Sequence, residues 1–123
     1  MQVFTTSLYQ LSASSDRMGY RLEGEPIPRR KGDLLSEGMV FGSIQVPPDG
    51  QPIVMMADRP ATGGYPKIAT VIRADLPKVA QLLPAKGRVR FRLVSVAEAQ
   101  VAYRKMVEGL TIEMDTDELW AAV

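Results

Sequence analysis

The residues best suited to chemistry lie on one short stretch, Asp58-Arg59-Pro60-Ala61-Thr62-Gly63-Gly64-Tyr65-Pro66. It brings a carboxylate, a guanidinium, a hydroxyl and a phenol together in sequence. Asp58 has the chemistry of a general base, or of a group that orients a donor. Arg59 could clamp a carboxylate or phosphate through two parallel bonds. Thr62 and Tyr65 could hydrogen-bond a polar substrate, and the Gly63 and Gly64 amides could form an anion-binding nest. The alternative is a tight connection whose glycines serve turn geometry alone. The stretch is not a phosphate-binding P-loop, because the Gly-Lys-Ser/Thr ending and the following helix are missing.

A second candidate is Ser14-Ser15-Asp16-Arg17-Met18-Gly19. Asp16 and Arg17 read there either as a site or as an internal ion pair. Ser-Ser-Asp favours a turn through side-chain to backbone bonds. Gln45 and Gln51 flank a predicted hairpin turn and could read an amide. Two basic groups are weaker candidates. Arg29-Arg30-Lys31 could bind an anion, but a solvated loop between strands is the better reading. Arg88, Arg90 and Arg92 share one strand face without interleaved aromatics, which again favours a solvated face.

Composition narrows the chemistry further. The 123-residue chain contains no cysteine and no histidine. That excludes a disulfide, a thiolate nucleophile, a Ser-His-Asp triad and a His- or Cys-ligated metal, and no metal site is expected. Any reaction must use Asp, Glu, Lys, Arg, Tyr, Ser, Thr or backbone amides, or groups from a partner. Net charge is +1 and hydrophobic content is 46%. Neither points to nucleic acid or a membrane as partner. No apolar run approaches the roughly 20 residues of a membrane span. The start MQVFTTSLYQ lacks the basic and apolar regions of a signal peptide, so a cytoplasmic location is the default.

The elements that must position these residues are short. Val3 to Ser12 reads as a strand, being rich in β-branched and aromatic residues. Gly19 reads as a kink before a strand at Tyr20 to Leu22, and Glu25 to Asp33 as a loop. Leu34 to Met39 reads as one helical turn closed by Gly38. Phe41–Val46 and Pro52–Ala57 form a predicted hairpin around Pro47-Pro48-Asp49-Gly50. Lys67 to Arg73 is a nearly continuous apolar strand. Asp75 is placed to N-cap a helix over Leu76–Leu83 with Leu76, Val79, Ala80 and Leu83 inward, ended by Pro84 and Gly87.

Arg88 to Val94 alternates, with Val89, Phe91 and Leu93 inward. Ser95 and Glu98 fit a capping box for a helix over Val96–Leu110. Its stripe of Val96, Ala99, Tyr103, Met106, Val107 and Leu110 reads as core packing, and Gly109 as its stop. These features predict one domain over residues 1–110 and an acidic tail over 111–123, in which Trp120 either docks the tail or meets a partner. The class is mainly β: a barrel or folded sheet with two helices.

The ordered set SDRMGYRL, SEGM, GSIQVPPDGQPI and TGGYP resembles the C-terminal half of the family of 5-oxoprolinase C subunits. That family is also described as allophanate hydrolase subunit 2, KipA-like, or the carboxyltransferase-type domain of urea carboxylase. The likeness runs from Phe4 to Gln100. It implies a cyclophilin-like β-barrel that is a fragment of a longer protein. It also implies a part in a cyclic-amide hydrolase: ATP-dependent opening of 5-oxoproline to L-glutamate, with two companions, an A subunit and a KipI-like B subunit. ATP would be used by the full complex, with no cofactor bound by this chain alone, and the isolated chain would be inert. Carried over by position are Asp16, Arg17, Met18, Gly19, Gln45, Gln51, Pro52, Asp58, Thr62, Gly63, Gly64, Tyr65 and Pro66. The family loop often has two threonines before Gly-Gly; Ala61 replaces the first. On this resemblance Arg17 or Arg59 would hold the substrate carboxylate, while Asp58, Thr62 and Tyr65 would line the lactam. Two other roles stay open: a non-catalytic domain that binds a partner, and a carboxyltransferase domain of a urea-carboxylase-type biotin enzyme.

Overall fold

The first residues carry β-branched side chains yet form a helix, α1 (Gln2–Thr6). The cause is local and tertiary at once. The Thr6 and Ser7 hydroxyls bond back to the Gln2 and Val3 carbonyls at 2.8 and 2.6 Å, capturing groups a strand would leave to a neighbour. Phe4 is fully buried and stacks on Phe91 with ring centroids 4.3 Å apart. Burial of such a ring contributes about 1.5–3 kcal/mol, more than strand propensity can oppose. The expected strand from Val3 to Ser12 is therefore only β1 (Leu8–Leu11), preceded by a helix.

The computed structural model describes residues 2–28, 37–38, 40–60, 62–107 and 118–122. After β1 come β2 (Gly19–Glu23), β3 (Glu37–Gly38), β4 (Ser43–Gln45), β5 (Ile53–Met55), β6 (Thr62–Gly63) and β7 (Lys67–Val71). A 3₁₀ turn at Arg73–Asp75 leads into α2 (Leu76–Ala80). β8 (Arg88–Val94), α3 (Val96–Val107) and β9 (Glu118–Ala122) complete the order. The basic cluster at 29–31 and the helix stop at Gly109 lie outside the described residues.

Seven strands close a barrel in the order β1-β2-β5-β4-β7-β9-β8, and β8 pairs back onto β1. All pairings around it are antiparallel except β8 with β9. The mainly β barrel expected from sequence is thus present, with three α-helices among the described residues instead of two. β3 and β6 form a separate two-stranded ladder, so Glu37 and Gly38 are extended where a helical turn was expected. Residues 118–122, which by sequence fall within an acidic tail, form the strand between β7 and β8.

The hairpin β4/β5 forms in register Ile44↔Val54, and Gly50 takes φ +78° in its turn as composition required. A second left-handed glycine, Gly42 (φ +91°), lies at the corner before β4. Its amide donates to the Met55 carbonyl and its carbonyl accepts from Val71, so one residue ties β5 and β7 together. A Cβ there would lie 2.8 Å from Leu76 Cδ2 and 3.2 Å from the Val71 carbonyl.

The core fills the barrel with Phe4, Tyr9, Leu22, Ile44, Val54 and Phe91 among others. Tyr9 is fully buried, and no partner lies within hydrogen-bond geometry of its hydroxyl among the described residues. Burial pushes the phenol above its ordinary pKa, with Ser7 offsetting part of the shift and Glu25 adding to it.

Expectations for the helices and for β8 change. Asp75 makes no side-chain cap; its carboxylate is buried and paired with Lys78 Nζ at 3.1 Å. α2 stops at Ala80, so Leu83 is exposed and Leu82 packs on the core. Leu93 is 38% exposed, so only Val89 and Phe91 of the three expected β8 positions are buried. The capping interaction at Ser95 is present, with the Glu98 amide donating to Ser95 Oγ at 3.1 Å. Yet no residue of α3 is buried, because the helix rests on the barrel's flank through Ala99, Ala102 and Met106.

Candidate functional site

The two polar stretches singled out above meet because they extend paired strands. β2 and β5 run antiparallel, with Gly19 opposite Met55. One step beyond the ladder, the Met56 amide donates to the Met18 carbonyl at 3.1 Å; the next bond runs from the Asp58 amide to the Arg17 carbonyl at 2.9 Å. This backbone register sets the side chains together, and Arg17 Nε lies 3.1 Å from Asp58 Oδ2. Asp16 shapes the same corner. Its Oδ1 accepts from the amides of Met18 and Gly19 at 2.9 and 3.2 Å, an Asx turn that presents Arg17 outward. Arg59 follows and donates to the Ala57 carbonyl at 3.3 Å.

This junction is open. Arg17 and Asp58 side chains are 84% and 53% exposed, and Met18 between the charged groups is 53% exposed. An ion pair so wetted contributes at most about 1 kcal/mol to stability. Its chemical capacity is to present a guanidinium and a carboxylate in fixed relation to whatever lies against it. Among the described residues no cluster of three or more acidic groups could hold a metal ion.

The other sequence candidates lie elsewhere. Thr62 and Gly63 form β6, with Gly63 opposite Glu37. Gly64 has no left-handed φ, and a Cβ there would meet nothing within 4 Å. The backbone angles expected at Gly-Gly are found instead at Gly42 and Gly50. Tyr65 is 44% exposed, and its carbonyl accepts from the buried Gln45 amide at 3.4 Å. Gln51 is closed on the Gly24 peptide, accepting from its amide at 2.8 Å and donating to its carbonyl at 3.1 Å. Asp58 lies beyond the Gly42–Met55 bond at one end of β4, and Tyr65 beside the Val46–Pro66 bond at the other. Those two bonds are four residues apart along the strand, on the order of 13 Å. The structure therefore brings Arg17 to Asp58 and leaves Tyr65 and Gln51 at the other end.

Sequence reasoning missed a cleft of about 810 Å³ between the end of β7 and α3. The α3 stripe at 3.6-residue spacing was its only trace in the sequence, and that stripe reads equally as core.

Residues 1–93 match the family model described as carboxyltransferase domain, subdomain A and B. The chain is 48% identical over 98 residues to the C subunit of the 5-oxoprolinase of Haemophilus influenzae, covering 79% of this chain and 31% of that protein. It is 47% identical over 97 residues to the Escherichia coli protein of the same description, covering 78% and 31%. The chain thus spans about a third of the length of these curated relatives. Among solved structures, the Kluyveromyces lactis urea carboxylase superposes with a TM-score of 0.73 over 96% of this chain and 12% of that one, at 23% identity, a likeness of fold.

Proposed function

The chain belongs to the carboxyltransferase domain family, subdomains A and B, and from that premise we propose that it is the part of a 5-oxoprolinase C subunit that helps open 5-oxoproline to L-glutamate. The observation that carries this reading is the 48% identity to a protein described as that subunit. In the proposed reaction one water adds its oxygen to the lactam carbonyl as the C–N bond breaks and the nitrogen takes the proton, giving glutamate, while the full complex hydrolyses ATP with a second water to ADP and phosphate. The companion A and B subunits supply what this chain lacks.

The Arg17–Asp58 junction supports a specific role within that reaction. Arg17 holds the substrate carboxylate, and Asp58 fixes the guanidinium and faces the lactam or its phosphorylated form. Arg59 adds a second cation on the same turn. Because Arg17, Met18 and Asp58 are exposed, this site works only when another surface covers it. A covering partner would exclude water and strengthen each charge interaction.

The test is reconstitution. The parent protein containing this sequence is assembled with its two companions, and glutamate release from 5-oxoproline is followed with and without ATP. ATP-dependent release, lost when the parent protein is omitted, is the expected result. Absence of release from the complete mixture would refute the reading.

A further inference from the structure

We propose that the cleft between β7 and α3, whose lining shares no residue with the Arg17–Asp58 junction, binds a small amphipathic carboxylate. The cleft lies where α3, which rests on the barrel's flank through Ala99, Ala102 and Met106 and buries none of its residues fully, runs beside the end of β7. Val96, Ala99 and Tyr103 recur along one face of α3 and form one wall, while Phe41 and Val71 form the floor. A volume of about 810 Å³ lies within the range of small-ligand sites, roughly 300–1,000 Å³.

The ligand class follows from charge. Among the described residues the lining contains two arginines, Arg73 and Arg104, and no acidic side chain. The Arg73 guanidinium lies 4.8 Å from the centroid of the Tyr103 ring, which holds a cation at the wall of an apolar space. Arg104 follows Tyr103 on α3. An occupant must therefore offer an apolar body to Phe41, Val71 and Ala99 and one anionic end to the arginines. A monocarboxylate with a chain of some ten carbons meets both demands, whereas a compact polar anion would leave the apolar walls wet.

Decanoate and decanol, each below its aggregation limit, are titrated into the parent protein containing this sequence by calorimetry and by amide chemical shifts. Decanoate is expected to saturate a single site, at least about tenfold tighter than decanol, with shifts centred on Ile72, Ala99 and Tyr103. Arg104→Gln, on the exposed helix face, is expected to reduce decanoate to the affinity of decanol. Ala99→Trp, which fills the cleft, is expected to abolish both. Equal affinities for acid and alcohol, shifts centred elsewhere, or no saturable binding would each overturn the proposal. So would decanoate binding unchanged in Arg104→Gln, or in an Ala99→Trp variant that melts as the parent does.

Discussion

The two halves of the Asp58–Pro66 stretch are neighbours in sequence and have little in common in the fold. The first half continues the β2–β5 ladder and meets a second motif through the Asp58–Arg17 backbone bond and an ion pair. The second half passes through a two-residue ladder with Glu37–Gly38 and ends beside Gln45. A motif that looks like one loop is thus two structural units, joined by the path of the chain along β4. The lesson is that pairing register, more than sequence proximity, decides which polar groups share a site.

Stability measurements separate the two halves. The largest effect is expected at the corner beneath the first half. Gly42→Ala forces a Cβ into a left-handed position against the Val71 carbonyl, and should cost about 2 kcal/mol or more. A lower urea midpoint at unchanged slope would show it; an unchanged midpoint would mean that this corner does not set the junction.

The core offers a control that belongs to neither half. Tyr9→Phe removes a buried hydroxyl without a partner among the described residues, and should stabilise by up to about 1 kcal/mol. The parent phenol has its pKa raised above 10.0 in the fold. The proton is therefore held more tightly folded than unfolded. Its contribution is complete below the unfolded value and is lost as pH rises through the folded one. Melting temperature should fall more steeply above pH 10 in the parent chain than in Tyr9→Phe.

Asp58→Ala should change stability by less than about 1 kcal/mol, and by less still at high salt. A larger loss would make the junction a structural brace. Smallest of all, Gly64→Ala should leave the midpoint within about 0.5 kcal/mol of the parent, since its Cβ would point into open space. A marked loss there would restore Gly-Gly as a conformational requirement.

Much of the barrel was legible in the residues. Alternation placed the bounds of β8 at Arg88–Val94 but put Leu93 inward where Val94 is buried, and Pro-Pro-Asp-Gly placed the β4/β5 hairpin. Two kinds of feature were not legible. Phe4 reads as part of a strand because its helix depends on a stacking partner 87 residues away, Phe91. The meeting of Arg17 with Asp58 depends on β2 pairing β5 across an intervening hairpin strand, and no local pattern encodes that pairing. Gly42 gave no turn signal of its own, since the demand for its left-handed angle comes from Met55 and Val71. The α3 stripe was visible, but periodicity cannot tell a face that fills a core from one that borders a cleft.

If Arg17 and Asp58 act as one unit on the substrate, glutamate release from the reconstituted complex carrying Asp58→Ala, Arg17→Gln or both will show it. Each single change should lower turnover by roughly 100-fold. The double change should cost little more than either one, with assembly intact. Turnover unchanged in Asp58→Ala, with the complex still formed, would mean that the two side chains do not work together on the substrate.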